Sequence, residues 1–235
     1  IDYLSNKTNK YETNHFHIIL NDESHIQINT EGKIDTSLVI TKEYGILLHE
    51  YIHYTQHLLT LFGIKRCQMF NSIFYEYINY MLQNENIKLP INITDVNKRV
   101  ENYYAYLKNI QGTQHYSKYN IDAVEVSNQD IEIARTNKCS VKIGIYDYEN
   151  NEAIDKEIEF GYWCIIESMA HLIQKLVDSD VDNRHNIMPY RIVELVCKSK
   201  YSTTIFDDKM MISLCQCSLM FDNPGAAFFE IADYV

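Results

Sequence analysis

The segment from Thr41 to Phe62 constrains this 235-residue chain most, because it predicts a long helix with two very different sides. Thr41 is a typical N-cap, Glu43 falls in the first turn, and Gly63 is a typical residue just past a helix end. One broad side of the predicted helix is apolar: Leu47, Leu48, Tyr51, Ile52, Tyr54, Leu58, Leu59, Leu61 and Phe62. The other side is polar: His49, Glu50, His53, Gln56, His57 and Thr60. Such a helix buries most of its surface and presents its polar stripe to a specific partner or ligand.

The polar stripe contains the pattern His-Glu-x-x-His. His49 and His53 are four residues apart, so their imidazoles share one helix face and can both reach a Zn²⁺ ion at about 2.0–2.1 Å. Glu50 projects about 100° away, where a carboxylate can take a proton from a zinc-activated water. A solvated face is the alternative, but such faces usually carry Lys, Arg and Glu in pairs, whereas this one has three His and one Glu. The stripe therefore predicts a zinc site with Glu50 as catalytic base.

A catalytic zinc needs a third protein ligand and an open fourth position. The metzincin pattern is excluded, because Gln56 and Leu59 stand where it requires a glycine and a histidine. His57 lies one turn further along the same straight helix and cannot close a tetrahedron, so we expect it to support the ligands or to face solvent. A carboxylate from another helix is needed. Glu167 is the favoured candidate, and Glu76 on the next predicted helix is its rival.

Glu167 and His171 are four residues apart on the one polar side of a predicted helix from residue 161 to about 177. A lone carboxylate and a lone histidine on an otherwise apolar helix suggest a directed site. His171 could orient a ligand, donate to a developing oxyanion or bind the metal itself, and we predict a catalytic role for it. His185 and Tyr190 are further candidate donors.

The rest of the chain predicts an α+β fold that is mainly α, a single domain over residues 1–235 with a helical and hairpin insert at about 64–160. With only seven Gly and three Pro, long flexible linkers are not expected. Predicted strands are Phe16–Leu20, His25–Ile28, Ser37–Ile40 and a hairpin of Val141–Ile145 with Ala153–Phe160. Predicted helices after the first are Arg66–Gln83, one from Asp95 to near Gly112, one from 161 to about 177, one from Pro189 to about 199, Asp207–Phe221, and Ala226–Tyr234 after a break at Asn223–Gly225.

Charge, apolar runs and cysteine content indicate which partners and which cellular location to expect. The net charge of -11 argues against nucleic-acid binding and could favour basic substrates. No run of about 18 apolar residues is present, so no membrane span is expected. The six cysteines lack the spacing of a disulfide framework, which favours a reducing, cytoplasmic location. Cys215 and Cys217 form a C-x-C that could hold a soft metal, but buried or incidental thiols are the favoured interpretation.

The run His49-Glu50-Tyr51-Ile52-His53-Tyr54-Thr55-Gln56, the downstream Ile166-Glu167-Ser168-Met169-Ala170 and the late Asn223-Pro224-Gly225 resemble a group of uncharacterised bacterial proteins. These are similar to zinc metallopeptidases of the gluzincin type. The resemblance covers two helices and one turn, about a sixth of the chain. It implies a zincin-like core and Glu167 as third ligand, and it implies no particular substrate.

These patterns together predict a zinc-dependent hydrolase that acts on peptide or protein substrates. Strands before Thr41 could supply the sheet edge that aligns an extended peptide. A non-peptide amidohydrolase would use the same chemistry. The alternative from another class is a catalytically inactive, zincin-like interaction or regulatory protein. That alternative predicts a closed fourth position or a groove plugged by the region from Gln114 to Glu159.

Overall fold

The computed structural model of the chain describes residues 10–12, 17–20, 27–28, 30–35, 41–87, 98–114, 121–147, 152–201 and 206–235. These residues form an α+β fold that is mainly α, which confirms the predicted fold class. Within them, no helix combines the length and the apolar character that crossing a bilayer requires.

Helix α1 (Thr41–Leu59) and helix α2 (Leu61–Gln83) meet in a sharp bend at Thr60. The Thr60 hydroxyl donates to the carbonyl of Gln56 and accepts from the backbone N–H of Gly63, so one side chain serves both helix ends. The prediction that Gly63 follows a helix is therefore wrong, because it lies in the first turn of α2. A Cβ at Gly63 would lie 2.4 Å from the Gln56 carbonyl oxygen, so only glycine lets α2 start this close to α1.

The middle of the chain forms a three-stranded antiparallel sheet. Its strands lie in the order β5 (Ala123–Glu125), β6 (Val141–Asp147), β7 (Glu152–Phe160). The pairing of β6 with β7 confirms the predicted hairpin, whereas β5 and the helix that follows it were not predicted. The third helix ends before Gly112, and the Asp95 cap predicted for its start lies outside the described residues. Helices α3 (Lys98–Ile110) and α4 (Asn128–Asn137) belong to the same part of the chain.

Four helices complete the fold: α5 (Tyr162–Lys175), α6 (Ile192–Lys200), α7 (Asp208–Ser218) and α8 (Pro224–Ala232). Helix α5 is buried along nearly its whole length and packs against α1, α6, α7 and α8. Three aromatic rings anchor the core beside it, with centroids 5.1–5.4 Å apart: Phe160, Phe228 and Phe229. Burying each such side chain contributes about 1.5–3 kcal/mol. Residues 64–160, predicted as an insert, supply side chains to this same core, among them Ile110, Val141 and Ile143.

The starts of the later helices follow local capping. Asp207 accepts from the backbone N–H of Met210 at the start of α7, and Asn223 accepts from Ala226 at the start of α8. The predicted break at Asn223–Gly225 is thus the cap of α8. The helix predicted from Pro189 begins instead at Ile192, because residues Ile187–Arg191 form a π-helical turn.

The N-terminal strands pair differently from the prediction. β1 (Lys10–Glu12) pairs with β2 (His17–Ile19), and β3 (Gln27–Ile28) pairs with β4 (Ile34–Asp35), both antiparallel. The predicted hairpin of Phe16–Leu20 with His25–Ile28 is therefore wrong in its partners, since each segment pairs with a strand that was not predicted. The strand expected at Ser37–Ile40 lies outside the described residues. β1 and β2 pack against α1.

We expect Gly63→Ala to lower the free energy of unfolding by about 2–4 kcal/mol, because its methyl group would overlap the backbone of Gln56 and His57. Gly144→Ala is the matched control, since its Cβ would meet nothing closer than 3.8 Å and should change stability by about 0.5 kcal/mol or less. Urea denaturation of both variants measures the difference. Equal effects would contradict the close approach of α1 and α2.

Candidate metal centre and active site

Helices α1 and α5 bring three potential metal ligands together. His49 and His53 of α1 lie with Nε2 3.3 Å and 3.4 Å, respectively, from the same oxygen, Oε2, of Glu167 on α5. All three residues are buried. Their ligand atoms lie within 4.8 Å of one another, so the group could hold a metal ion.

The other ring nitrogen of each histidine, Nδ1, contacts the side-chain amide of a buried glutamine. Gln174 Oε1 lies 3.0 Å from His49 Nδ1, and Gln56 Oε1 lies 3.0 Å from His53 Nδ1. Gln56 also donates through Nε2 to the carbonyl of Ile166, which turns its oxygen towards His53. Because an amide oxygen only accepts, each Nδ1 donates, and in the neutral ring each Nε2 presents its lone pair to the centre. This is the tautomer that binds a metal through Nε2.

Three electron-pair donor atoms therefore converge, and such a group needs a cation or a proton at its centre. Without a metal, His53 supplies a proton. Burial disfavours its charged form, but the Glu167 carboxylate outweighs burial and raises the pKa of His53 to about 9. Burial also disfavours the charge on Glu167, but His53 and His49 outweigh it and hold the pKa of that carboxyl well below its usual range. Two imidazole nitrogens and one carboxylate oxygen form a donor set that fits a divalent transition metal.

Glu50 is buried beside this group and is not part of it. Burial raises the pKa of its carboxyl, although His53 and His49 act in the opposite direction. The backbone N–H of Tyr11 in β1 donates to the carboxylate. Glu50 is thus a carboxylate next to a potential metal ion, held by β1 and with a raised proton affinity. These are the properties of a general base.

The group opens into a cavity of about 240 Å³. Tyr190 lines it, with its ring 5.9 Å from that of His49 and stacked on His185 at 4.2 Å. Burial, with smaller effects of Glu167 and Glu50, raises the pKa of Tyr190 to about 12, so the phenol keeps its proton at neutral pH. The lining residues are Lys10, Tyr11, His49, Glu50, His53, His57, Arg66, Trp163, Ile166, Glu167 and Tyr190.

The sequence predicts a catalytic role for His171, but His171 does not line this cavity. It is fully buried, with Nδ1 2.9 Å from His185 Nδ1 and Nε2 2.9 Å from an oxygen of Asp182. With Asp182 and Glu194 it forms a second group that could hold a metal. Lys175 lies 3.3 Å from both carboxylates, however, and already supplies a cation there. The structure therefore places His171 outside the cavity lining, in contact with His185, Asp182 and Glu194.

None of the other candidate ligands from the sequence belongs to the group of His49, His53 and Glu167. His57 lines the cavity, but its Nδ1 donates to the carbonyl of His53, and it is not in the converging group. Glu76, the rival third ligand, belongs neither to that group nor to the cavity lining in the part of the chain that is described. Cys215 is buried and Cys217 is exposed, so the two thiols do not share a site.

Sequence reasoning missed several residues of the site. Gln56 was placed on the polar face of α1 without a role, and Gln174 carried a signal, as a lone amide seven residues after Glu167 on an apolar helix. Tyr11, Arg66 and Trp163 had no pattern to reveal them, because they come from three different elements that meet only in the fold.

Comparison with known proteins assigns no family. No protein-family model, no curated protein and no solved structure matches the chain. The resemblance to gluzincin-type metallopeptidases therefore rests only on the sequence motifs of α1 and α5 and on the turn Asn223–Gly225.

Metal binding should become tighter as the pH rises. Metal-free His53 has its pKa raised to about 9, so at neutral pH it holds a proton that an incoming metal must displace. We expect the affinity for Zn²⁺ to rise by up to about tenfold per pH unit from about pH 7 to pH 9 and then to level off. Competition with a chromophoric chelator at several pH values measures this.

The stability of the metal-free protein should instead fall as the pH rises. A histidine whose pKa is raised on folding contributes stability below its unfolded pKa of about 6.5, and that contribution is lost as the pH rises through about 9. Thermal unfolding after chelation provides this comparison. A metal affinity that does not change over this range would contradict the arrangement of His53 and Glu167.

The amide that orients His49 should matter for metal affinity. We expect Gln174→Leu to weaken metal binding by about 10–100-fold, because His49 loses the acceptor that holds its ring and its tautomer. Ser168→Ala is the control, since it also removes a buried polar group from α5, one that donates to the carbonyl of Pro189, and it leaves the bond between Gln174 and His49 in place. Equal metal affinities for the two variants would show that Gln174 has no such role.

Proposed function

We propose that this chain is a zinc-dependent metallohydrolase of the gluzincin type that cleaves peptide bonds. The observation that carries the proposal is the convergence of His49, His53 and Glu167 beside the buried carboxylate of Glu50, in a cavity open to a ligand. Metal ligands alone would suit a structural site. Hydrolysis also requires a general base, and Glu50 is a separate carboxylate with a raised pKa at the same place.

Zinc is the metal that this donor set fits best. Two imidazole nitrogens and one carboxylate oxygen are a common ligand set of catalytic zinc, and three protein ligands leave one position open. When bound, Zn²⁺ would polarise a carbonyl oxygen and lower the pKa of a water molecule to about 7. Gln56 and Gln174 would keep both imidazoles in the tautomer that this requires.

The chain's own residues would handle the proton and the developing charge. Glu50 would accept a proton from the attacking water and pass it to the leaving amine, and burial, which raises the pKa of its carboxyl, favours the protonated form between the two steps. Tyr190 keeps its hydroxyl proton and lines the same cavity, so it is the candidate hydrogen-bond donor to the oxyanion.

The position of β1 favours a peptide among the possible amide substrates. Lys10 and Tyr11 of β1 line the cavity, and the Tyr11 N–H points to Glu50. In an antiparallel pair, the N–H of a residue faces either the partner strand or the outer edge, so at Tyr11 the outer edge of β1 faces the site. An extended peptide could align along this edge through backbone hydrogen bonds.

A catalytically inactive interaction protein is the second candidate. It would need a blocked cavity, and the region from Gln114 to Glu159 was the expected plug. None of the described residues in that region lines the cavity, which favours the enzyme. A screen of unbiased peptide mixtures with zinc-loaded protein separates the two candidates. Cleavage of simple amides without peptide cleavage would instead identify a non-peptide amidohydrolase.

Glu50→Gln should keep its metal and lose activity by a factor of about 10²–10⁴, because an amide cannot accept the proton. Glu76→Gln is the control, with the same change of charge at a residue outside the group and the cavity lining, and it should keep both metal and activity. Metal content by elemental analysis and peptide cleavage rates measure the two effects. Full activity in Glu50→Gln would rule out its role as base, and loss of metal in Glu76→Gln would return Glu76 to the ligand set.

A further inference from the structure

Four residues that line the cavity each have a buried polar atom without a hydrogen-bond partner among the described residues: Tyr11 Oη, His57 Nε2, Arg66 Nε and Trp163 Nε1. Three of them belong to donor groups, a hydroxyl, a guanidinium and an indole. Buried polar groups in proteins normally have partners, and their absence around one cavity requires an explanation. A ligand that supplies the missing hydrogen-bond partners would be such an explanation. The proposed hydrolytic chemistry uses none of the four atoms.

Arg66 is the charged member of this set. Its guanidinium lies 5.9 Å from the ring centroid of Phe62 and 5.5 Å from that of Tyr162. These contacts hold the side chain without neutralising it. Arg66 forms no salt bridge with any described residue, whereas each of the other three arginines with described side chains forms at least one: Arg135, Arg184 and Arg191.

His57 adds a buried acceptor beside Arg66. Only 6% of His57 is exposed, and its Nδ1 lies 3.0 Å from the carbonyl oxygen of His53. A carbonyl only accepts, so Nδ1 carries the proton and Nε2 is left as an acceptor without a donor. The ring of Tyr11 lies 5.3 Å from that of His57. The cavity lining therefore offers three donors, a positive charge and one acceptor.

This set lies close to the metal centre. His57 follows His53 by four residues on α1, a rise of about 6 Å along the helix axis. A ligand group bound beside His57 would therefore lie about two residues away from a peptide bond at the metal, since one extended residue spans about 3.3–3.6 Å. The cavity volume of about 240 Å³ is suited to one or two residues of a peptide.

We propose that the cavity binds a carboxylate of the substrate at Arg66, either the C-terminal carboxylate of a peptide or an acidic side chain. The planar guanidinium matches the two oxygens of a carboxylate, and the Tyr11 hydroxyl and Trp163 indole are further donors. His57 Nε2 would accept from a backbone N–H of the same residue. The inference rests on the proposed function, because it concerns the substrate of that site.

Trp163 gives a direct probe of binding, since it is the only tryptophan of the chain and lines the cavity. N-acetyl-phenylalanine, its C-terminal amide and the α-amide of N-acetyl-glutamate, which keeps only the side-chain carboxylate, are titrated while the Trp163 fluorescence is followed, with zinc-loaded and with metal-free protein. We expect the free acid to bind at least about tenfold more tightly than the phenylalanine amide in both forms. The glutamate derivative tests the acidic side chain as the alternative source of the carboxylate.

The variants assign the preference to Arg66. Arg66→Met should remove the difference between acid and amide, and Arg66→Lys should keep part of it, because lysine retains the charge without the planar fork. Lys42→Met is the matched control, with the same loss of one charge at an exposed residue outside the cavity lining. Circular dichroism and zinc content confirm that each variant is folded and loaded. If Arg66→Met does not fold, the comparison of acid and amide in the wild type and in Arg66→Lys still decides.

Equal binding of both acids and of the phenylalanine amide by the wild type would overturn the inference. So would an acid preference that survives in Arg66→Met and disappears without metal, because the carboxylate would then bind the metal directly. Acid binding through Arg66 without cleavage of any peptide would refute the proposed hydrolase and leave the carboxylate site standing. Cleavage with no preference for a carboxylate would do the reverse.

Discussion

The contact of His49 and His53 with the buried carboxylate of Glu167 is the interaction on which the rest of the site depends. A carboxylate buried without a cation would cost several kcal/mol, so the pair of helices that encloses it must also supply or bind positive charge. Gln56 and Gln174 leave both imidazoles with lone pairs directed at the same oxygen. The fold therefore has a strong electrostatic need at this point, and a divalent cation meets it more completely than the single proton on His53.

The surrounding core holds the geometry that this interaction requires. Helix α5 is buried almost throughout, and the aromatic cluster around Phe160 and Phe228 packs beside it. Helix α1 has the opposite character, because its two ends are exposed and the bend at Thr60 ties it to α2. The same bend places Arg66, only three residues after Gly63, beside His57 on the cavity. The buried helix α5 thus supplies the carboxylate, and the bent pair of helices α1 and α2 supplies the imidazoles and the guanidinium.

The sequence predicted the parts of the site whose spacing lies within one helix. His49, Glu50 and His53 follow from a four-residue period, and Glu167 was visible as a lone carboxylate on an apolar helix. It could not predict Arg66, Tyr11 and Trp163, because no period links residues from α2, β1 and α5. The difference between the predicted and the observed surroundings of His171 has the same origin. A period of four places it on the side of Glu167, but Asp182 and Glu194, which turn it away from the cavity, come from later elements.

Net charge and local charge point to different substrates for this protein. The formal charge of -11 favoured a basic substrate, but charges separated by more than about 8 Å are largely screened at physiological ionic strength. The field in the cavity at Arg66 is set by nearby groups, where Arg66 has no carboxylate partner among the described residues and the neighbouring donors are uncharged. An anionic group that reaches this point meets a favourable local environment. The negative surface then affects how fast such a substrate arrives more than how tightly it binds.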